Sequence, residues 1–324
     1  MSTLKQVAEL ANVHLATASA VLNSPGGNTR VGEETRNRIL DAARTLGYTR
    51  NESARRLRTG STDTVGFIGG DMRNPFFAEL AAALEHELGR RGLRLLVSHV
   101  APSPSLSLKS MVAALRQQMI SRIIYWEEAA QPEVIEEAQG IVPLPIGFTT
   151  TPRRGVWLDL DFAIDSIVSY AAGKGMRRLG FYAPRRHAES PSVSIRWELF
   201  RQACKKRRLL APVLVEYDGE SWDIQAALHG ATLAQNAALD DGLILGFNDT
   251  AALGLLLAAG ANATRCQVVG FDGTPIVRNW PTNPPWLDLK LPTLAAAAVE
   301  AIVSPGNASS EGSRAEWIKP QLMG

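Results

Sequence analysis

Apolar residues at the start of the chain recur every three or four positions, a spacing that places them on one face of a helix. The first such face is formed by Leu4, Val7, Ala8 and Ala11, behind a capping-box pattern of Thr3 and Gln6. A second short helix turns Ala18, Val21 and Leu22 inward, and a third turns Ile39, Leu40, Ala43 and Leu46 inward. Three short helices with a tight turn between the first two predict a helix-turn-helix unit.

After Ser61 the pattern changes to buried strands that alternate with amphipathic helices. Strands are predicted at 64–70, 93–97, 122–126, 155–158, 178–182, 243–247 and 267–271. Helices are predicted at 76–91, 106–119, 162–173, 195–206, 224–238 and 249–259. Such alternation predicts an α/β fold with parallel sheets covered on both faces. Its length suits two doubly wound lobes better than one.

These patterns divide the chain into three parts. We assign residues 1–47 to an all-α helix-turn-helix headpiece and residues 48–61, rich in arginine, to a linker or short conditional helix. Residues 62–324 form the two-lobed core, and the chain is expected to cross between the lobes near 158–161 and 287–292.

The charge of the chain is unevenly distributed. Residues 1–60 hold nine basic and five acidic side chains, so that this part has a net charge of +4 and the remainder −2. A small basic unit attached to a slightly acidic one favours an anionic polymer as its partner, although a solvated helical surface would look the same.

Several function classes lack their sequence signals. No run of eighteen apolar residues and no secretion-signal pattern occurs, so we expect a cytoplasmic protein without a membrane segment. Two cysteines are too few for a disulfide framework or a thiolate metal site. No P-loop, HExxH motif, G-x-S-x-G elbow or metal-spaced His/Cys cluster occurs. We therefore expect no enzyme, no cofactor and no metal.

Motifs throughout the chain resemble the lactose repressor (LacI/GalR) family of bacterial transcription regulators. In chain order they are 4–13 with 17–23, Thr35-Arg36 with Leu46-Gly47-Tyr48, Asn51 with 54–60, 71–77, Asn248-Asp249 and 268–272. The resemblance implies a hinge helix that folds on DNA and a core like that of periplasmic sugar-binding proteins. It also implies a homodimer that binds a pseudo-palindromic operator. The leucine-heptad tail of the lactose repressor is not visible, because residues 304–324 are polar and contain proline and glycine.

The resemblance implies a repressor whose affinity for operator DNA is controlled by a small molecule, a sugar or sugar derivative, bound between the lobes. A purine or nucleoside effector remains an alternative, since aromatic stacking and amide hydrogen bonds serve bases too. A solute-binding protein is the other alternative, against which the helix-turn-helix unit and the missing signal both argue.

The second helix departs from the family at the positions that contact bases. The resemblance assigns those positions to Leu15, Ala16 and Ala20. Their apolar side chains cannot hydrogen-bond a base edge, but they can pack against a thymine methyl. Polar residues are kept at the positions that contact the DNA backbone, namely Thr17, Ser19 and Asn23.

Two further departures lie beside this helix. His14 stands where the family has a capping serine or threonine, and losing that cap is expected to cost the helix about 1 kcal/mol. The loop of residues 24–30 is longer than usual. Asn28 and Arg30 are candidates to supply polar DNA contacts from it, the alternative being a solvent-exposed surface loop.

The hinge segment contributes Ala54 and Leu57 as candidate DNA contacts by resemblance. Leu57 corresponds to the leucine that inserts into the minor groove at the operator centre and bends the duplex. Its arginine neighbours favour insertion over the alternative, in which this leucine packs the hinge against the core.

Candidate effector contacts follow the strands, because open α/β sheets bind ligands at the carboxyl ends of their strands. The candidates are Asp71, Asn74, Phe76, Arg196, Trp222, Asn248 and Asp272, of which Arg196 rests on the resemblance. Carboxylates, amides and a guanidinium suit a polyol, and aromatic rings suit the C–H face of a sugar. Of Phe76 and Phe77, one is expected to face the ligand and one the core. Asp249 is expected to cap the helix that it begins.

Overall fold

The computed structural model describes residues 2–23, 31–48, 62–99, 107–129, 135, 138–150, 154–185, 191–235, 241–259, 266–304 and 316–324. The chain forms two compact units, Met1–Ser61 and Thr62–Gly324.

The described residues of the first unit form three short helices, α1 (Leu4–Leu10), α2 (Leu15–Asn23) and α3 (Glu33–Thr45). Thr3 and Gln6 form the predicted capping box at the start of α1, where each side chain accepts from the other residue's backbone N–H. The predicted inward faces pack together into one small apolar core that contains Val7, Ala18 and Ile39. The helix-turn-helix prediction is confirmed.

The second unit begins with a lobe built on a parallel six-stranded sheet. Its strands are β1 (Thr64–Gly69), β2 (Arg94–His99), β3 (Arg122–Trp126), β4 (Val142–Thr149), β5 (Val156–Asp159) and a late strand, Glu316–Ile318, in the spatial order late strand-β5-β4-β3-β1-β2. Helices α4 (Pro75–Gly89) and α5 (Leu108–Gln117) follow β1 and β2 along the chain. This lobe carries one end of the cavity described below.

The other lobe is built on a parallel four-stranded sheet. Its strands are β6 (Leu179–Pro184), β7 (Val213–Tyr217), β8 (Leu243–Gly246) and β9 (Gln267–Val269), in the order β7-β6-β8-β9. The helices along this stretch are α6 (Leu160–Gly173), α7 (Pro191–Lys206), α8 (Ile224–Gln235), α9 (Asp249–Ala259) and the single turn α10 (Pro275–Arg278). Two parallel sheets with intervening helices confirm the predicted fold class.

The end of the chain returns to the first lobe and then leaves it again. Strand β10 (Trp286–Asp288) precedes helix α11 (Leu291–Val303), which packs on α4 and on β4 of the first lobe. Strand β11 is the late strand Glu316–Ile318, and β12 (Gln321–Met323) pairs antiparallel with β10. The sequence pattern gave no sign of β10, β11 or β12. Among the described residues, no helix is both long and apolar enough to cross a membrane.

Candidate functional site

The outward face of α2 is short and largely apolar. His14, Leu15 and Ala16 are exposed, and the Leu15 side chain keeps 46% of its surface accessible. Thr17, Ser19 and Ala20 are half-buried on the same helix, and Asn23 is its last residue. The exposed residues at the beginning of α2 are therefore free to contact a partner through apolar atoms and one imidazole.

His14 partly replaces the cap that the sequence analysis expected to be lost. Its Nδ1 accepts from the backbone N–H of Ala16 at 3.4 Å, and its carbonyl accepts from the N–H groups of Thr17 and Ala18. The imidazole thus satisfies one of the helix's otherwise unpaired donors, at a distance longer than a typical serine or threonine cap. Four other predicted DNA contacts, Asn28, Arg30, Ala54 and Leu57, lie outside the described residues.

A cavity of about 220 Å³ lies in the second unit, at the carboxyl ends of strands from both sheets. Its lining includes all seven residues that the sequence analysis selected: Asp71, Asn74, Phe76, Arg196, Trp222, Asn248 and Asp272. It also includes residues that the sequence analysis did not select, chiefly Trp126, Glu128, Phe148, Glu220 and Phe247. The chain therefore brings together side chains that are up to 201 positions apart in the sequence.

Aromatic rings of the first lobe line the cavity, and their ring contacts continue into the other lobe. Phe76 and Phe77 are 5.1 Å apart between ring centroids, and each makes an edge contact with Trp126. Trp126 contacts Phe148 at 5.6 Å, and Phe148 contacts Phe271 of the other lobe at 5.5 Å. Phe76 is buried and Phe77 half-buried, yet both line the cavity. The expectation that only one of the two would face it is therefore wrong.

Arg196 of α7 is the central cation of the site and is only 5% exposed. Its Nη1 donates to the Phe247 carbonyl at 2.9 Å, and its Nη2 lies 3.6 Å from Glu128 Oε2 of the other lobe. The guanidinium carbon lies 4.4–4.8 Å from the ring centroids of Phe148, Phe247 and Phe271. The Nε atom has no hydrogen-bond partner among the described residues.

Asp272 lines the cavity from a loop held by a second buried carboxylate. Asp249 accepts from the Asp272 N–H at 3.0 Å, from the Thr274 N–H and from the Thr274 hydroxyl at 2.8 Å. Asp272 Oδ2 in turn accepts from the Asp249 N–H at 3.1 Å. Burial, together with the charge of Asp249, raises the pKa of Asp272 well above its usual range, against the opposing effect of Arg196.

The helix cap of α9 is Asn248, so the prediction that Asp249 would cap it is wrong. Asn248 Oδ1 accepts from the Ala251 N–H at 2.8 Å, while its Nδ2 donates to the Ser221 carbonyl at 2.7 Å. Asp249 points instead into the buried loop of Asp272 and Thr274. Each Asn248 amide atom keeps one further donor or acceptor position.

Asp71 and Trp222 are bridged by Arg73, which the sequence analysis did not select. Arg73 Nε donates to both carboxylate oxygens of Asp71, at 2.8 and 3.0 Å, and its Nη2 bonds the same group. These hydrogen bonds hold the pKa of Asp71 below its usual range. The guanidinium lies 3.6 Å from the Trp222 ring centroid, across the cavity mouth. Trp222 thus stacks on a guanidinium in this structure.

Asn74 has a local role as well, because its Oδ1 caps α4 by accepting from the Phe76 N–H at 3.1 Å. Its Nδ2 remains the part of the side chain that is suited to a ligand.

Glu128 could have been selected by the same rule that selected Asp71. It lies just beyond the end of β3, in a single helical turn, Glu127–Ala129. The Trp126 side chain hydrogen-bonds its carboxylate, and desolvation raises the pKa of Glu128. Phe148 and Phe247 were missed for another reason, since apolar residues at strand ends look like ordinary core.

Comparisons with known proteins agree with this architecture. Residues 3–51 match the model of bacterial regulatory proteins of the lacI family. The HTH-type transcriptional regulator GalS of Salmonella typhimurium is 24% identical over 312 residues, which cover 92% of this chain and 88% of GalS.

Two solved structures share the fold. The lac repressor dimer bound to operator and the anti-inducer ONPF has a TM-score of 0.83 at 20% identity, over 100% of this chain and 98% of that one. The transcriptional regulator CelR in complex with cellobiose has a TM-score of 0.66 at 17% identity, with the same coverage. None of these three proteins is named as an enzyme. The chain is a DNA-binding transcription regulator whose residues 3–51 match the lacI family, and over nearly its whole length it is similar to the regulator GalS.

Proposed function

We propose that this protein is a homodimeric repressor of the cytoplasm, and that a carbohydrate bound in the core cavity controls its affinity for operator DNA. Residues 1–47 bind the operator, residues 48–61 form the hinge, and residues 62–324 bind the effector and the second subunit. The named complexes of CelR with cellobiose and of the lac repressor dimer with operator support this assignment by similarity.

The single observation that carries the proposal is the state of Arg196. A guanidinium that is 5% exposed, and whose Nε has no hydrogen-bond partner in the described part of the chain, lines a cavity beside Asp272 and Asn248. An unsatisfied buried donor costs about 1–3 kcal/mol, so a ligand atom that accepts from it is favoured. A hydroxyl both accepts and donates, which suits a guanidinium next to a carboxylate. The aromatic rings that line the cavity suit the C–H face of a sugar ring.

In the headpiece, we propose that Leu15, Ala16 and Ala20 pack against bases in the major groove. Thr17, Ser19 and Asn23 contact phosphates, together with His14, and Asn28 and Arg30 add contacts from the loop that follows α2. Ala54 and Leu57 contact the minor groove from the hinge.

The DNA-binding part is tested by selection from random duplex DNA with the purified full-length chain, followed by titration of the selected site. We expect a pseudo-palindromic site, as a dimer requires. Because two headpieces neutralise at least about six phosphates, log affinity should fall with log salt at a slope of about −5 or steeper. No enrichment, or a slope between about 0 and −2, would contradict the proposed use of the headpiece.

A further inference from the structure

Arg196 is shared between two carboxylates at the centre of the cavity. Glu128 approaches it from the first lobe at 3.6 Å, and Asp272 interacts with it electrostatically from the second lobe. One positive charge therefore faces two acidic side chains, both of which line the cavity.

Arg73 is shared in the same way at the cavity mouth. It forms hydrogen bonds with Asp71 and also interacts electrostatically with Glu220, and both of these acidic residues line the cavity. Each of the two guanidinium groups around the cavity is thus shared between two acidic side chains. A ligand that enters this space therefore meets cations that already have acidic partners.

The arrangement nevertheless offers a ligand one well-placed donor. Arg196 Nε is buried and unpartnered among the described residues, while its Nη1 is committed to the Phe247 carbonyl. The carboxylate of Glu128 is held in place by the Trp126 side chain, and its own side chain is 23% exposed. A ligand in this position needs an atom that accepts from Arg196 Nε, next to atoms that donate to Glu128 and Asp272. Adjacent hydroxyl groups provide both.

The size of the cavity limits the ligand further. Its volume of about 220 Å³ lies below the range of about 300–1,000 Å³ that is typical of sites for drug-sized ligands. A single sugar ring fits that constraint better than a disaccharide or a nucleotide.

We propose that the effector is a monosaccharide-sized polyol without negative charge, and that Glu128 is the residue that excludes sugar phosphates and sugar acids. This inference rests on the proposed function, because it assumes that the cavity is the effector site. An anionic group near Arg196 would compete with Glu128 and Asp272 for one guanidinium. It would also face the Glu128 carboxylate, which pairs with Arg196, in a poorly solvated space where repulsion at about 4 Å is several times stronger than in water.

The test is a thermal-shift and calorimetric comparison on the full-length chain with matched probes. The probes are the neutral, acid and phosphate forms of common hexoses and pentoses, such as glucose, gluconate and glucose 6-phosphate. Wild-type protein should bind a neutral member most tightly and its acid and phosphate forms at least about tenfold more weakly. A preference for an acid or phosphate form would overturn the inference, even if Glu128→Gln failed to fold.

The Glu128→Gln variant tests whether Glu128 is the residue that excludes anionic ligands. Removing one carboxylate should reduce the ratio of anionic to neutral Kd by at least about tenfold. The matched control is Glu198→Gln, which removes an exposed carboxylate on the same helix as Arg196 without touching the cavity. An unchanged ratio in Glu128→Gln would overturn the role of Glu128. If no probe raised the Tm of wild-type protein, the proposed function itself would be contradicted, which is a different outcome from a preference for anions.

Discussion

At the scale of single residues, Arg196 is the side chain on which the proposed regulation depends most. Its guanidinium contacts both lobes, since Glu128 and Phe148 belong to the first and Phe247 and Phe271 to the second. A ligand that binds its Nε therefore acts on the group that already links the two lobes. Energy from ligand binding is useful for regulation only if it differs between lobe arrangements.

Replacing Arg196 should weaken effector binding while leaving ligand-free DNA affinity nearly unchanged. The loss of a charge-assisted bond costs about 1.5–3 kcal/mol, so Arg196→Ala should raise the Kd of the best-binding probe about ten- to a hundredfold. Calorimetry with Arg201→Ala as the control measures this, because Arg201 lies on the same helix and pairs with exposed Glu198. Wild-type affinity in Arg196→Ala would mean that other residues bind the effector.

Asp272 should make the ligand-free core less stable as the pH rises. Its pKa is raised in the folded state, so the folded protein binds more protons than the unfolded chain above pH 4. The free energy of unfolding should therefore fall from pH 5 to 8, and Asp272→Asn should remove about 1 kcal/mol or more of that fall. Urea titrations at both pH values measure it.

The control for this pH effect is Asp218→Asn, since the Asp218 side chain is 78% exposed. It should show the wild-type pH dependence. A slope in Asp272→Asn equal to that of wild type would show that the Asp272 carboxyl is not the group responsible.

At the scale of secondary-structure elements, the sequence pattern predicted the helices better than the strands. Strand β4 was missed although it lies inside the first sheet, because Pro143 and Pro145 remove two backbone donors and argue against a central strand. Strands β11 and β12 have three residues each and become recognisable only through their partners β5 and β10. Local patterns do not contain that long-range pairing.

The candidate site was predictable to the extent that it consists of polar residues after strands. Asp71, Asn248 and Asp272 follow strands that the hydrophobic pattern of the sequence predicts, and all three line the cavity. Their hydrogen bonds were not predictable, because those depend on loops that meet only after folding. The exchange of the capping role from Asp249 to Asn248 is an example.

Helix α2 should gain stability from a better cap. The His14 imidazole bonds the Ala16 N–H at 3.4 Å, whereas a serine hydroxyl reaches the following turn with better geometry. His14→Ser should therefore stabilise the headpiece and His14→Ala should destabilise it, with about 1 kcal/mol between the two. Thermal unfolding of the headpiece, followed by circular dichroism, measures this. A Tm of His14→Ala equal to that of the wild-type protein would show that the imidazole contributes no cap.

At the scale of the whole molecule, we propose that residues 48–61 form a hinge that connects DNA binding to the core. Leu57 lies outside the described residues, so its role is argued from the sequence alone. Leu57→Ala should abolish operator bending and weaken specific binding, because the leucine side chain supplies the wedge between base pairs. Its effector Kd should stay at the wild-type value. Fluorescence transfer across the operator measures the bend, and an undiminished bend would assign Leu57 to packing.

We propose that occupancy of the core cavity changes the affinity of the headpiece for DNA. The most direct measurement is a titration of the selected operator with full-length protein, with and without a saturating concentration of the best-binding neutral sugar. We predict a change in operator Kd of at least about fivefold, in either direction, that is reduced at the same sugar concentration in Arg196→Ala. An operator Kd that is equal with and without the sugar, although the sugar binds, would contradict the account.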